Sequence, residues 1–193
     1  MSVKEALQGW LCRTTVRTLL TFGWSSQARE RIRHRLVKVP DDAYALATQA
    51  HLQSQQGDKS EAIRTLQHLV DVHPGLSSAW FNLGFLLDQA EEPARAEAAF
   101  QRALEIEPSM DRAWYGLGLS LICQNRLDEA INALRRNTEL QPLSPYGWYQ
   151  LARVHAERQD DGEVQRIIDR LRQFEPKFAA QLTREVGIGA TVS

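Results

Sequence analysis

The sequence predicts an all-α fold, organised as a solenoid of antiparallel helix pairs. The first observation is a proline at every thirty-fourth position, in the series Pro40, Pro74, Pro108, Pro142 and Pro176. The second is a tryptophan series with the same spacing, Trp80, Trp114 and Trp148. The third is that apolar and small residues between these markers recur at helical intervals. A fixed period of this length, without insertions, is typical of helical units that stack and bury their apolar faces.

The first helix of each repeat is predicted from a tryptophan, a leucine and a small residue. Leu83 follows Trp80 by three positions and Gly84 by four, so the three residues share one helix face. We expect Trp80 and Leu83 to contribute to the core, and the small residue to let a second helix approach closely. The predicted starts of first helices are marked by Ser77, Asp111 and Ser144-Pro145.

The second helix of each repeat carries a small residue followed four positions later by a large apolar one, as in Ala96 and Phe100. The recurring proline ends this helix, because its ring and its missing N–H cannot continue one. Asp58 and Glu61 have the spacing of a capping box. Pro93 suits the first turn of another second helix. Two short helices per period are therefore expected.

Taken together, W-x-x-L-G, A-x-x-x-F and P at this spacing resemble the tetratricopeptide repeat. The resemblance implies a right-handed superhelical solenoid of antiparallel helix pairs. The copy at 43–76 departs from the pattern at Gln49 and Gln53, where other copies carry apolar residues. Phe178, Leu182 and Val186 step by four and predict a short capping helix after the last repeat. The predicted division is N-terminal capping helices with a degenerate repeat (1–42), four repeats (43–76, 77–110, 111–144, 145–178), and a C-terminal capping helix and tail (179–193).

The resemblance implies that a partner peptide lies in a concave groove lined by the first helices. The residues expected to line this groove are Tyr44, His51, Phe81, Phe85, Asp88, Arg112, Tyr115, Leu119, Ile122, Tyr146, Tyr149 and Arg153. Its apolar members are surplus to helix stacking, and large apolar surface without a structural use marks an interaction site. Two alternatives stay open: these side chains pack against one another, or the C-terminal helix folds into the groove.

The predicted function is therefore a protein–protein interaction module, acting as an adaptor, a scaffold or a chaperone-like protein. The alternative is a self-assembling or membrane-surface scaffold that uses the basic N-terminal helices. Residues 1–38 carry eight Lys and Arg against two Glu, and the run Arg29–Lys38 is the densest part. Self-association into a homo-oligomer stays open. The run lacks interleaved aromatic residues, so a nucleic-acid partner is not expected.

No enzyme activity, cofactor or metal site is expected from the sequence. It contains no phosphate-binding loop and no zinc-binding helix motif. The histidines, which do not form a ligand set, are His34, His51, His68, His73 and His155. Cys12 and Cys123 form no CxxC pair, which fits a reducing compartment and predicts a cytoplasmic protein. No stretch approaches the roughly 18 apolar residues of a membrane span, and the composition suggests a bacterial origin.

Overall fold

A computed structural model describes the backbone of residues 3–187 and the side chains from residue 6 onward. Within this range the chain forms eleven α-helices and no strand. The helices are α1 (Val3–Thr21), α2 (Ser25–Lys38), α3 (Ala43–Gln55), α4 (Lys59–Val72), α5 (Ser77–Asp88), α6 (Pro93–Ile106), α7 (Asp111–Cys123), α8 (Leu127–Leu140), α9 (Pro145–Glu157), α10 (Asp161–Phe174) and α11 (Pro176–Val186). The predicted all-α repeat class is confirmed.

The helices begin at fixed positions in the repeat frame. First helices α3, α5, α7 and α9 begin at residues 43, 77, 111 and 145. Second helices α2, α4, α6, α8 and α10 begin at residues 25, 59, 93, 127 and 161. The predicted starts at Ser77, Asp111 and Pro145 are therefore correct, and Pro93 occupies the first position of α6. The predicted tail after Gly187 lies outside the described residues.

The chain divides into two compact units, residues 1–90 and 91–193. In the first unit, each of α1 to α4 packs against the helix that follows it. In the second unit the same holds for α6 to α10, and α11 also packs against α9. The boundary between the units falls in the loop that separates α5 from α6. The division into repeats remains a prediction.

Buried residues form two regular columns along the second helices. The small column is fully buried and consists of Ala28, Ala62, Ala96, Ala130 and Val164. The large column, at most 2% exposed, consists of Ile32, Leu66, Phe100, Leu134 and Ile168. Both columns were expected from the 34-residue frame. They place the core on the inward faces of the second helices.

The turn between the two helices of a repeat needs one residue in the left-handed region. In these turns the residues with this conformation are Gly23, Gly57, Glu91, Asn125 and Gln159, with φ of 74°, 87°, 60°, 58° and 60°. They are spaced by the repeat period. Glycine adopts this conformation freely, whereas other residues pay roughly 1–2 kcal/mol. Glu91 and Gln159 are therefore held there by the flanking helices.

The predicted capping box at Asp58 is wrong. Asp58 precedes α4, but its side chain accepts no capping hydrogen bond. Glu61 instead pairs with Arg64 one helical turn later, because a nearby guanidinium is a stronger partner than a backbone amide. A side-chain cap does form at α3, where Asp42 accepts a hydrogen bond from the Ala45 amide at 3.0 Å.

The recurring tryptophans hold the proline loops, and Trp148 also packs against the buried cluster of the second unit, as expected of a core residue. Each indole is only partly buried and donates a hydrogen bond to the carbonyl of the proline six residues earlier. The three N···O distances are 2.9 Å for Trp80 to Pro74, 2.8 Å for Trp114 to Pro108 and 3.0 Å for Trp148 to Pro142. An indole N–H needs a polar partner, and the carbonyl at the end of the preceding second helix supplies it.

Replacing Trp114 by phenylalanine should lower the free energy of unfolding by about 1 kcal/mol, since one hydrogen bond to the Pro108 carbonyl is lost. Urea unfolding followed by circular dichroism would measure the loss. Trp24→Phe is the matched control, because Trp24 is 53% exposed and stacks on Phe22 with ring centroids 5.6 Å apart. Equal losses in the two variants would mean that the hydrogen bond is not what matters.

Candidate partner-binding surfaces

The first unit presents an open hollow between α3 and α5. Its volume is about 160 Å³, and an apolar cavity of roughly 150 Å³ is large enough to hold benzene. The residues that line it are Ala47, Ala50, His51, Ser54, Leu66, Asn82, Phe85 and Leu86. Leu66 and Leu86 are buried and form its floor, whereas His51 is exposed at its rim. The hollow therefore has room for one apolar side chain.

Phe85 is the most conspicuous side chain beside this hollow. It is 49% exposed, although the leucines of the same helix are all buried. Phe81 stacks against it with ring centroids 6.4 Å apart and an angle of 23° between the planes. Asp88 lies one turn further along and is partly buried, and this burial raises the pKa of its carboxyl group above the usual value. The surface thus combines exposed aromatic area with one acidic group.

Tyr44 connects this surface to α1. The Arg13 guanidinium carbon lies 5.9 Å from the centre of the Tyr44 ring, and the tyrosine hydroxyl makes a long 3.4 Å contact with the Arg13 carbonyl. Trp10 and Arg17, both exposed on α1, stand one period before Tyr44 and His51. Of the exposed α1 residues, Arg13 is the one that contacts Tyr44, and sequence reasoning missed this contact.

In the second unit, the predicted groove residues of α7 are largely used for packing. Tyr115, Leu119 and Ile122 are all partly buried. Tyr115 and Ile122 pack against a buried cluster that includes Leu134 and Leu151. The interpretation of Tyr115 and Ile122 as surplus to stacking is therefore corrected. Arg112, at the start of α7, is exposed and has interactions of its own.

The predicted groove residues of α9 are partly covered by α11. Phe178 meets Tyr146 and Tyr149 edge to face, with ring centroids 5.5 and 6.0 Å apart. The Tyr149 hydroxyl donates a hydrogen bond to Glu185 and accepts one from the Gln181 amide at 3.3 Å. The C-terminal helix therefore occupies the surface at Tyr149, which was one of the two alternatives left open. Tyr146 stays 61% exposed and Arg153 is exposed as well.

The contact between Tyr149 and Glu185 shifts both ionisation equilibria. Burial and then the adjacent carboxylate raise the pKa of Tyr149, because both disfavour the phenolate. The hydrogen bond from Tyr149 lowers the pKa of Glu185, with help from Gln181. The ionised carboxylate of Glu185 therefore helps to hold α11 on α9 above the unfolded-state pKa of glutamate. This contribution fades as the pH falls through the lowered folded-state value.

The basic run on α2 separates into one structural arginine and several exposed cations. Arg35 faces inward and pairs with Asp42 at 2.7 Å, with only 12% and 10% of the two side chains exposed. Arg33 pairs on the surface with Glu30. The remaining exposed members are Arg29, Arg31, His34 and Lys38. The run thus has a solvent face that is strongly positive.

Among residues with described side chains, no group of three or more His, Cys, Asp or Glu is arranged to hold a metal ion. Two of the histidines instead contact Asp41, in the loop between α2 and α3. His68 lies 3.0 Å from the Asp41 carboxylate and His73 lies 2.6 Å from the Asp41 carbonyl. No helix in the described range is both long and apolar enough to cross a membrane.

Comparison with known families gives one consistent result. The model of the Tetratricopeptide repeat family matches this chain in three overlapping segments, residues 47–111, 86–145 and 115–163. Together these segments cover more than half of the chain. A search of curated proteins finds no match.

Solved structures of similar fold share little sequence with this chain. MamA (residues 41 to the end) from Desulfovibrio magneticus RS-1 is 17% identical, with a TM-score of 0.76 over 92% of this chain and 96% of that one. YrrB, described as a TPR protein with an unusual peptide-binding site, is 19% identical, with a TM-score of 0.77 over 88% of both chains. The first TPR of Spaghetti (RPAP3), bound to the HSP90 peptide SRMEEVD, is 21% identical, with a TM-score of 0.59 over 61% and 93%. At these identities the likeness concerns the fold alone.

Proposed function

Because this chain belongs to the tetratricopeptide repeat family, we propose that it is an interaction module that binds an amphipathic helix or an apolar peptide of a partner protein. The proposed binding surface lies on α3 and α5. We propose further that it works in the cytoplasm as an adaptor, a scaffold or a chaperone-like protein. The observation that carries the proposal is the exposed Phe85 beside an open hollow with an apolar floor and polar groups at its rim.

The hollow and Phe85 offer complementary parts of one recognition site. An apolar anchor residue of the partner would fill the hollow and contact Leu66 and Leu86 on its floor. Phe85 would then lose water from its exposed face. Desolvated anchors of this kind dominate binding energy at interfaces. YrrB and the RPAP3 repeat, both described with peptide sites or peptides, support the idea that this fold holds peptides.

The remaining predicted groove residues have different proposed roles. His51 lies at the polar margin of the hollow, and Asp88 lies at the end of α5. Both would select the orientation of a bound helix. Tyr115 and Ile122 are engaged in packing, and Tyr149 lies under α11, so we assign them no direct contact. Leu119 is partly buried and also receives no assigned contact. Tyr146 and Arg153 remain accessible on the second unit. We therefore place the principal site on the first unit.

Phe85→Glu should weaken peptide binding at least tenfold, because a carboxylate would have to be desolvated where an aromatic ring was buried. Peptides would first be selected from a random library displayed on phage, and their Kd values measured by fluorescence anisotropy. Leu143→Glu is the matched control, since Leu143 is 72% exposed and lies in a loop of the second unit. Binding that is unchanged in Phe85→Glu, or equally reduced in both variants, would contradict the proposed site.

A further inference from the structure

The outer face of α1 and the turn that follows it carry large apolar side chains that no described helix covers. Their exposed fractions are 56% for Leu7, 59% for Trp10, 49% for Leu11, 65% for Phe22 and 53% for Trp24. The opposite face of α1 is the packed one, where Val16 is fully buried and Leu19 and Leu20 are partly buried. Leu7, Leu11 and Thr18 are spaced by four and seven residues, so they share one side of α1. Phe22 and Trp24 follow Thr21, the last residue of this helix. Hereafter the outer strip means residues 7, 10, 11, 14, 18, 21 and 22.

The threonines of the outer strip have hydroxyl groups that are already hydrogen-bonded within α1. Thr14 donates to the Trp10 and Leu11 carbonyls at 3.1 Å, Thr18 to the Thr14 carbonyl at 3.0 Å, and Thr21 to the Arg17 carbonyl at 2.9 Å. These bonds leave no hydroxyl proton that needs water. An apolar medium, which supplies no hydrogen bonds, would therefore take up these residues at low cost.

Cations border the outer strip on both long edges. Arg13 and Arg17 are exposed on one edge. On the other edge, Leu11 shares a hollow of about 250 Å³ with Arg31, His34 and Lys38 of α2. The nearest acidic side chain on α2 is Glu30, which is paired with Arg33. The strip is thus an apolar band between two positive margins.

We propose that the outer strip of α1 lies flat on the surface of an anionic lipid bilayer. Tryptophan and phenylalanine are suited to the depth of the headgroups. Arginine and lysine side chains on both edges would reach the lipid phosphates while their stems lie along the apolar band. Over residues 7 to 22 the strip extends for about 22 Å along the helix. Helix α1 would rest on the surface without spanning it.

A bilayer fits the strip better than a protein partner does. Protein interfaces carry about one hydrogen bond for each 100–200 Å². The outer strip offers almost none, because its threonine hydroxyls are bonded to its own backbone. Positive charge on both margins matches a surface that is uniformly negative. The outer strip shares no residue with the hollow at Phe85, so either proposal can hold without the other.

The test is co-sedimentation of the full chain with vesicles of phosphatidylcholine alone and with 30% phosphatidylglycerol. We expect binding to the anionic vesicles at least tenfold stronger than to the neutral ones at about 0.1 M salt, and a marked loss at about 0.5 M. Leu11→Glu should reduce the binding at least tenfold. Phe85→Glu, at an equally exposed residue (49% for both), should leave it unchanged. Circular dichroism would verify that the variants are folded.

A further variant separates lipid from protein as the occupant. Thr18→Val should keep or strengthen vesicle binding, because the lost hydroxyl served only its own helix. The proposal is overturned if the folded chain ignores anionic vesicles at low salt, or if Leu11→Glu and Phe85→Glu weaken binding equally. It is also overturned if Leu11→Glu abolishes self-association in analytical ultracentrifugation while vesicle binding persists, since a second copy of the chain would then be the occupant.

Discussion

Replacing Gly116 by alanine is expected to lower the free energy of unfolding by about 1–2 kcal/mol, although alanine is the better helix former. A Cβ atom at Gly116 would stand 2.5, 2.7 and 2.8 Å from three carbons of the Phe100 ring. That ring is only 1% exposed, so it has no free space to move into. Overpacking of a core costs about 1–3 kcal/mol, and the helix propensity of alanine offsets about 1 kcal/mol of it.

Gly162→Ala is the matched control for this prediction. Gly162 also lies in a helix of the second unit, but its Cβ would meet only the Asp160 carboxylate at 3.8 Å. That variant should be neutral or slightly more stable, because the unfolded chain loses entropy. Urea unfolding of both variants gives the comparison. If Gly116→Ala were as stable as Gly162→Ala, the Phe100 ring would not be confined as described.

The position of Gly116 also shows where the repeat pattern stops predicting the structure. The pattern identified Gly118 as the close-approach residue, and a Cβ there would indeed stand 2.8 Å from Leu134. It gave no reason for Gly116, since the neighbouring copies carry Asn82 and Gln150 at that place. Gly116 is needed because Phe100 is the aromatic member of a column that is otherwise aliphatic. A pattern that follows one repeat position at a time cannot predict that a glycine at one position accommodates a larger side chain at another.

Two glutamines of the first unit gave a more direct signal. Gln49 and Gln53 stand where the next two copies carry leucine, and both line a cavity of about 590 Å³ beside α2, together with Arg29. The outcome at Tyr149 was harder to foresee. The pattern placed it on the groove face, but only the docking of α11 through Phe178 decides that it is covered. Column patterns predict which face a residue occupies, whereas coverage depends on contacts between distant segments.

Asn137 is a buried polar residue at a position where three other repeats carry apolar residues. Its replacement is expected to produce the other large effect on stability. Its column partners Leu69, Ala103 and Leu171 are buried and apolar, whereas Asn137 is 5% exposed and polar. The side-chain amide donates to the Asp111 carbonyl at 2.8 Å. On its other side lies Gly147, where any Cβ would collide with the Asn137 carbonyl oxygen. Asn137 thus ties the start of α7 to α8, and Gly147 of α9 makes room for it.

Asn137→Asp should lower the free energy of unfolding by about 3 kcal/mol at pH 7. The new carboxylate would face the Asp111 carbonyl, where Asn137 now donates a proton, and an unpaired buried charge is costly. In its neutral form the same carboxyl group donates that hydrogen bond. The folded-state pKa would therefore rise above the unfolded value of about 3.9. The loss should be small below about pH 4 and should grow by about 1.4 kcal/mol per pH unit until the folded-state pKa is reached.

Urea unfolding of the wild type and the variant at several pH values between 4 and 7 would measure this dependence. Asn132→Asp is the matched control, because Asn132 lies on the same helix and is exposed. That variant should change stability by less than about 0.5 kcal/mol at every pH. A loss in Asn137→Asp that stayed constant with pH would show that shape, and not the lost proton donor, is responsible. The pH slope therefore distinguishes a polar link between the repeats from a purely steric one.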